Sequence, residues 1–126
     1  MNILITDDSK EIRRRLIKVI SKIKGINKIY QADSTQNSLT IFFKNKINLI
    51  ILDISMPGKG GLYVLEQVKK EKPETTVLIF SSYTYVWLKK KCKALGVNYF
   101  FDKSDFIGMI TLLEDLIFKN TNEKRH

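Results

Sequence analysis

The chain alternates five times between strand-like and helix-like segments, and this alternation restricts the possible folds more than any other feature. The predicted strands are Met1–Thr6, Lys28–Ala32, Asn48–Asp53, Thr75–Phe80 and Val97–Phe101. The helical period predicts helices over Lys10–Lys24, from Ser34 or Thr35 to about Lys46, from Leu62 to the loop at Pro73, over Thr84–Leu95, and from Ser104 or Asp105 to about Phe118. Right-handed crossovers then place helices on both faces of a parallel sheet.

Length and composition predict one globular domain. The 126 residues can bury a core but are too few for two ordinary domains. The apolar runs are shorter than the roughly 18 residues needed to span a bilayer, so we expect no membrane partner. Cys92 is the only cysteine, and the amino terminus has no signal-peptide pattern, so we expect a cytoplasmic location. We predict a domain over residues 1–119 and a disordered polar tail over 120–126.

The formal net charge of +9 comes from basic residues spread along the chain, notably in Arg13–Arg15, Lys69–Lys70, Lys89–Lys91 and Lys124–Arg125. No zinc-finger spacing or RNA-binding aromatic motif accompanies them. We therefore interpret these residues as solvated helix faces. A nucleic-acid partner is an alternative that we consider unlikely without an output domain.

Polar side chains with possible chemical roles follow four of the predicted strands. Asp7 and Asp8 follow the first, Asp53 ends the third, Ser81 follows the fourth and Lys103 follows the fifth. In a doubly wound sheet the first and third strands are neighbours, so the three carboxylates converge and need a cation among them. Carboxylate and carbonyl oxygens suit Mg²⁺, and a lysine suits phosphate oxygens. The pattern predicts phosphoryl transfer with an aspartate as the nucleophile.

In this combination of residues, the chain resembles the receiver domain of two-component response regulators. The resemblance runs from Ile3 to about Phe118 and rests on the pair Asp7-Asp8, on Asp53 with Met-Pro-Gly after it, and on Ser81 and Lys103. It implies a flavodoxin-like or CheY-like fold, a doubly wound sheet of five parallel strands in the order 2-1-3-4-5 with five helices. It also implies a phosphorylation-switched signalling module that catalyses only its own phosphorylation and dephosphorylation, not an enzyme with a separate substrate.

The resemblance implies a role for each residue of the predicted site. Asp53 would accept the phosphoryl group from a sensor histidine kinase or a phosphotransfer protein. Mg²⁺ would be bound by Asp8, by Asp53 and by the main-chain carbonyl of Ser55, with Asp7 acting through water. Lys103 would hold a phosphate oxygen.

Further residues would respond to the phosphoryl group, again by resemblance. Ser81 would turn its hydroxyl toward it, and Phe100 would act as the switch aromatic. Ser55 and Tyr83 occupy positions where the family tunes dephosphorylation. The chain departs from the family at Ser104, where a proline, often after a cis bond, usually follows the lysine. A cis bond before a non-proline residue costs about 2.5–4 kcal/mol, so we expect this loop to be trans or strained.

The fourth helix, fifth strand and fifth helix would form the output surface. The apolar arc of the last helix is wider than one core-facing stripe needs. We therefore predict a homodimer or adaptor interface rimmed by lysines. Its predicted members are Tyr85, Trp87, Met109, Leu112 and Leu116.

Two other function classes are alternatives. A phosphatase of the haloacid dehalogenase type also uses a strand-end aspartate, Mg²⁺ and a lysine. That class typically has a second acid two residues after the nucleophile, where this chain has Ser55, and it usually needs a cap domain. A basic nucleic-acid-binding domain would use Arg13–Arg15 or Lys89–Lys93 and would leave the acidic residues without a role.

Overall fold

The sheet has five parallel strands in the order β2-β1-β3-β4-β5, which confirms the predicted fold. The computed structural model describes residues 1–125 of the chain. In chain order the elements are β1 (Asn2–Thr6), α1 (Lys10–Ile20), β2 (Lys28–Ala32), α2 (Thr35–Lys44), β3 (Leu49–Leu52), α3 (Gly61–Glu71), β4 (Thr76–Ser81), α4 (Val86–Ala94), β5 (Tyr99–Asp102) and α5 (Phe106–Arg125). None of the described helices is long and apolar enough to cross a bilayer.

The core has two layers because both faces of the sheet are covered. Along β1, Leu4 belongs to one apolar cluster, and its neighbours Ile3 and Ile5 belong to the other. Side chains alternate between the two faces of a strand, and the same division occurs along β3. Residues of α2, α3 and α4 complete the first cluster, and residues of α1 and α5 complete the second. Continuous apolar strands are therefore the expected signature of this sheet.

Several element boundaries differ from the predicted ones. The first helix ends at Ile20 rather than Lys24. The amino group of Met1 donates a hydrogen bond to the carbonyl of Gly25 at 3.0 Å, so the chain must already turn back toward β1 before that residue. The fourth helix begins at Val86 rather than Thr84, because the backbone of Tyr85 is extended, with φ −59° and ψ 138°.

The last helix continues to Arg125, where we predicted a disordered tail from Asn120. The segment contains no proline or glycine to end the helix, and each added residue gains one more hydrogen bond along the axis. The Thr121 hydroxyl also donates to the carbonyl of Ile117 at 3.0 Å. The predicted tail thus differs from the structure over residues 120–125, and His126 lies outside the described residues.

Candidate functional site

The polar residues predicted from the strand ends meet at one edge of the sheet. Thr6 and Leu52 are paired in the register of β1 and β3, and the N–H of Asp53 donates to the carbonyl of Thr6 at 2.9 Å. On the other side, the N–H of Lys103 donates to the carbonyl of Ser81 at 3.0 Å. The carboxyl ends of parallel strands therefore deliver these side chains to the same place.

Asp7, Asp8 and Asp53 form an acidic cluster. Each offers a carboxylate oxygen, and these oxygens lie within 4.8 Å of one another. Asp7 and Asp53 are 2% and 4% exposed, whereas Asp8 is exposed. The N–H of Ser9 donates to Asp7 Oδ1 at 2.9 Å. A cluster of hard oxygen donors of this kind fits Mg²⁺, which uses one or two carboxylates and keeps several waters.

Lys103 lies between the two buried carboxylates. Its Nζ is 2.9 Å from Asp7 Oδ2 and 3.5 Å from Asp53 Oδ2. Burial alone would lower the pKa of Lys103, but the two carboxylates outweigh burial and raise that pKa above its ordinary value. The ammonium group is therefore a fixed positive charge at the site.

Burial and a neighbouring negative charge raise the pKa of the Asp53 carboxyl. Burial is the main cause that raises its pKa, and the negative charge of Asp7 adds to it. The charge of Lys103 and the N–H of Ser55 act in the opposite direction, and the pKa is raised from 3.8 to about 6. A cation among the carboxylates would relieve this repulsion.

A cavity of about 200 Å³ opens over this cluster. Its lining residues are Asp8, Asp53, Ser55, Ser82, Tyr83 and Lys103. Pockets for drug-sized organic ligands typically measure about 300–1,000 Å³. The volume and the charged lining suit an ion or a phosphoryl group rather than a larger organic substrate.

The loop that carries Ser55 is held by residues that the sequence analysis did not single out. The Thr35 hydroxyl accepts a hydrogen bond from the N–H of Gly60 at 2.9 Å and donates toward the carbonyl of Pro57 at 3.3 Å. The N–H of Gly61 donates to the carbonyl of Ile54 at 2.8 Å. A Cβ atom at Gly61 would lie 2.1 Å from the carbonyl oxygen of Asp53, so only glycine fits there.

The two serines at the carboxyl end of β4, Ser81 and Ser82, have different environments. Ser81 is fully buried, and its hydroxyl accepts a hydrogen bond from the N–H of Tyr83 at 3.0 Å. It does not line the cavity, whereas Ser82, which we did not predict as a site residue, does. The sequence did contain a signal for Ser82. Successive side chains of a strand point in opposite directions, so when Ser81 at the strand end is buried, the next residue is expected to face the site.

Phe100 is half-buried and packs against the apolar cluster that contains Leu88 and Cys92. Lys89 Nζ lies 5.6 Å from the centre of its ring. The described part of the chain has no cis peptide bond, so the bond from Lys103 to Ser104 is trans. The ammonium of Lys103 reaches the carboxylates in this conformation.

The predicted interface needs one correction. Met109 is fully buried in the core and cannot contact a partner, because the centre of the α5 arc faces the sheet. Leu112 and Leu116 are half-buried against the same core cluster. Tyr85 and Trp87, by contrast, are exposed and stacked, with ring centres 6.0 Å apart.

Residues 3–114 match the family described as the response regulator receiver domain. The chain belongs to this family. The receiver domain is 31% identical over 116 residues to the transcriptional regulatory protein MalR of Bacillus subtilis (strain 168), which covers 91% of this chain and 49% of MalR. It spans about half the length or less of the curated relatives that it matches.

Solved structures show the same fold. A chain of the CheX–CheY complex with BeF₃ and Mg²⁺ from Borrelia burgdorferi has a TM-score of 0.76 and 25% identity, over 81% of this receiver domain and 77% of that chain. A CheY-like receiver domain protein from Methanospirillum hungatei JF-1 has a TM-score of 0.81 and 20% identity, with coverage of 94% and 97%.

Family membership establishes a phosphoacceptor role in two-component signalling. Receiver domains interact with sensor kinases and phosphotransfer proteins, and they generally bind Mg²⁺ at an acidic pocket. The cluster of Asp7, Asp8 and Asp53 is an acidic pocket of this kind.

Proposed function

We propose that Asp53 accepts a phosphoryl group from a phosphohistidine of a sensor histidine kinase or a phosphotransfer protein, and that Mg²⁺ is required. One observation carries the proposal: the Lys103 ammonium lies 2.9 Å and 3.5 Å from the two buried carboxylates at the carboxyl edge of the sheet. A phosphohistidine made from ATP also implies a cytoplasmic location.

In the proposed transfer, a carboxylate oxygen of Asp53 attacks phosphorus and the bond from phosphorus to the histidine nitrogen breaks. The released imidazole takes a proton from solvent. Lys103, already beside Asp53, would hold an oxygen of the transferred group. Asp8, Asp53 and the Ser55 carbonyl would bind Mg²⁺, with Asp7 through water; when bound, the metal neutralises charge on the phosphoryl oxygens.

The domain would act only on itself, because the cavity of about 200 Å³ has no room for a large second substrate beside the phosphoryl group. We propose that Ser55 and Tyr83, which line this cavity, influence how water reaches the phosphoryl group and so tune dephosphorylation.

The switch would start at Ser81. Its hydroxyl holds the N–H of Tyr83, so a turn toward the phosphoryl group must break that hydrogen bond and release the loop before α4. Phe100 is half-buried and packs against the apolar cluster that includes Leu88 and Cys92 of α4, so an inward turn would bury more of its ring. We propose that these two movements change the surface formed by α4, β5 and α5.

The test is intact mass spectrometry after incubation with acetyl phosphate. We expect the chain to gain one phosphoryl group with Mg²⁺ present and none when EDTA removes the metal. A phosphoryl group gained equally in EDTA would contradict the Mg²⁺-dependent mechanism.

Exposed apolar side chains on α4 and α5 support a further proposal, that this face contacts a second copy of the chain. Trp87 is 63% exposed, and on α5 Ile107 and Phe118 are 80% and 64% exposed. We expect light scattering to give a dimer mass with Mg²⁺ and beryllofluoride. Phe118→Glu should restore the monomer, whereas Phe43→Glu, on α2 and also exposed, should not. A monomer under all conditions would contradict the dimer.

A further inference from the structure

Arg13 contacts the backbone of the acidic cluster. Its Nη1 donates to the main-chain carbonyl of Asp7 at 2.7 Å, and its Nε donates to Gln31 Oε1 at 3.1 Å. Arg13 is half-buried, whereas the next two residues, Arg14 and Arg15, are exposed. Of these three consecutive arginines, Arg13 therefore contacts the site through specific hydrogen bonds, whereas Arg14 and Arg15 make no such bonds within the described part of the chain.

The carbonyl that Arg13 holds belongs to the peptide unit that joins Asp7 to Asp8. The N–H of Asp7 is also held, because it donates to the carbonyl of Ala32 at 3.1 Å. The Asp8 side chain is exposed and, among the described residues, makes no hydrogen bond or ion pair. The direction of the Asp8 carboxylate therefore depends on the backbone that carries it.

We propose that Arg13 is a positioning residue for the Mg²⁺ site. By holding the Asp7 carbonyl, it keeps the Asp8 carboxylate facing Asp53, with their oxygens within 4.8 Å. This inference rests on the proposed Mg²⁺-dependent function. It makes a prediction opposite in sign to simple electrostatics, because a guanidinium near the site repels a cation and its removal would otherwise tighten Mg²⁺ binding.

The test is Mg²⁺ affinity, measured on the full chain by calorimetric titration and by electron paramagnetic resonance with Mn²⁺ as the competing reporter. We expect Arg13→Gln to weaken Mg²⁺ binding about tenfold, as outer-shell partners of metal sites typically do when they are replaced. Arg13→Lys keeps the charge but has a shorter side chain and lacks the planar guanidinium fork that joins the Asp7 carbonyl to Gln31, so its affinity should be intermediate. Arg14→Gln, the control with the same change of charge, should bind Mg²⁺ as tightly as the wild type or slightly more tightly.

Thermal unfolding in EDTA separates positioning from general stability. A purely structural role for Arg13 would lower the unfolding temperature of Arg13→Gln without changing the Mg²⁺ affinity of its folded fraction. If Arg13→Gln and Arg14→Gln bind Mg²⁺ with equal affinity, the inference about Arg13 is overturned. The proposed function still stands in that case, provided that the wild type binds Mg²⁺. No Mg²⁺ binding by the wild type would overturn both.

Discussion

Replacement of Asp53 by Asn is expected to stabilise the Mg²⁺-free protein while it removes the proposed phosphoacceptor. In the folded chain the pKa of Asp53 is raised from 3.8 to about 6, chiefly by burial and then by Asp7. One pKa unit corresponds to about 1.4 kcal/mol. The variant should therefore gain up to about 3 kcal/mol in free energy of unfolding at about pH 7.5, reduced by the loss of one partner of Lys103.

The pH dependence gives the sign of this effect. An acid with a raised pKa binds more protons in the folded state than in the unfolded state between the two pKa values. The wild type therefore loses stability from this group as the pH rises from about 4 to about 6, and Asp53→Asn does not. In urea unfolding with EDTA, the free energies of unfolding of Asp53→Asn and the wild type should be nearly equal at about pH 4. The difference between them should grow with pH and become constant above about pH 7.

Glu114→Gln is the control for this experiment, because Glu114 is exposed on α5 and makes no described ion pair. It should leave stability almost unchanged at both pH values. If Asp53→Asn is no more stable than the wild type above about pH 7, the buried Asp53 carboxylate does not destabilise the metal-free fold, and the trade-off between site and stability is contradicted.

Gly61→Ala is expected to destabilise the fold by about 3 kcal/mol or more, at the upper end of overpacking effects. The added Cβ would lie 2.1 Å from the Asp53 carbonyl oxygen and 2.7 Å from Ile54 Cα. Both neighbours are backbone atoms, so the start of α3 must move away from β3. The same movement displaces the loop that carries Ser55, so Mg²⁺ binding should weaken in the fraction that remains folded.

Gly108→Ala offers a matched control for this substitution. Its Cβ would meet the carboxylate of Asp105, the mobile end of a side chain. Gly108 is the third residue of α5, where alanine is favoured over glycine by up to about 1 kcal/mol, and this offsets a weakened bond from the N–H of residue 108 to Asp105. Urea unfolding should place this variant within about 1 kcal/mol of the wild type. A similarly small effect at Gly61 would contradict the close approach of α3 to β3.

The strand–helix alternation and the meeting of the acids with Lys103 could be predicted from local patterns, whereas the full strand order was predicted from the resemblance to receiver domains. Apolar runs and helical periods identify the elements, and the topology of parallel sheets brings their carboxyl ends together. Asp7, Asp53 and Lys103 are in contact for this reason. The requirement for glycine at position 61 could not be predicted from the sequence, because it arises from the closeness of Gly61 to the backbone of Asp53.

Other features depend on contacts that no local pattern contains. The Thr35 hydroxyl holds a loop 25 residues away, and Arg13 connects the Asp7 carbonyl to Gln31 of β2, which lies 18 residues further along the chain. Met109 was wrongly placed on the interface, because a wide apolar arc on a helix does not show which of its residues faces the core. These positions are set by packing angles, which become visible only in three dimensions.

The most direct test of the central claim is intact mass spectrometry of the wild type and Asp53→Asn after incubation with acetyl phosphate and Mg²⁺. The account predicts that the wild type gains one phosphoryl group and that the folded variant gains none. A folded Asp53→Asn variant that gains the same phosphoryl group would contradict Asp53 as the acceptor.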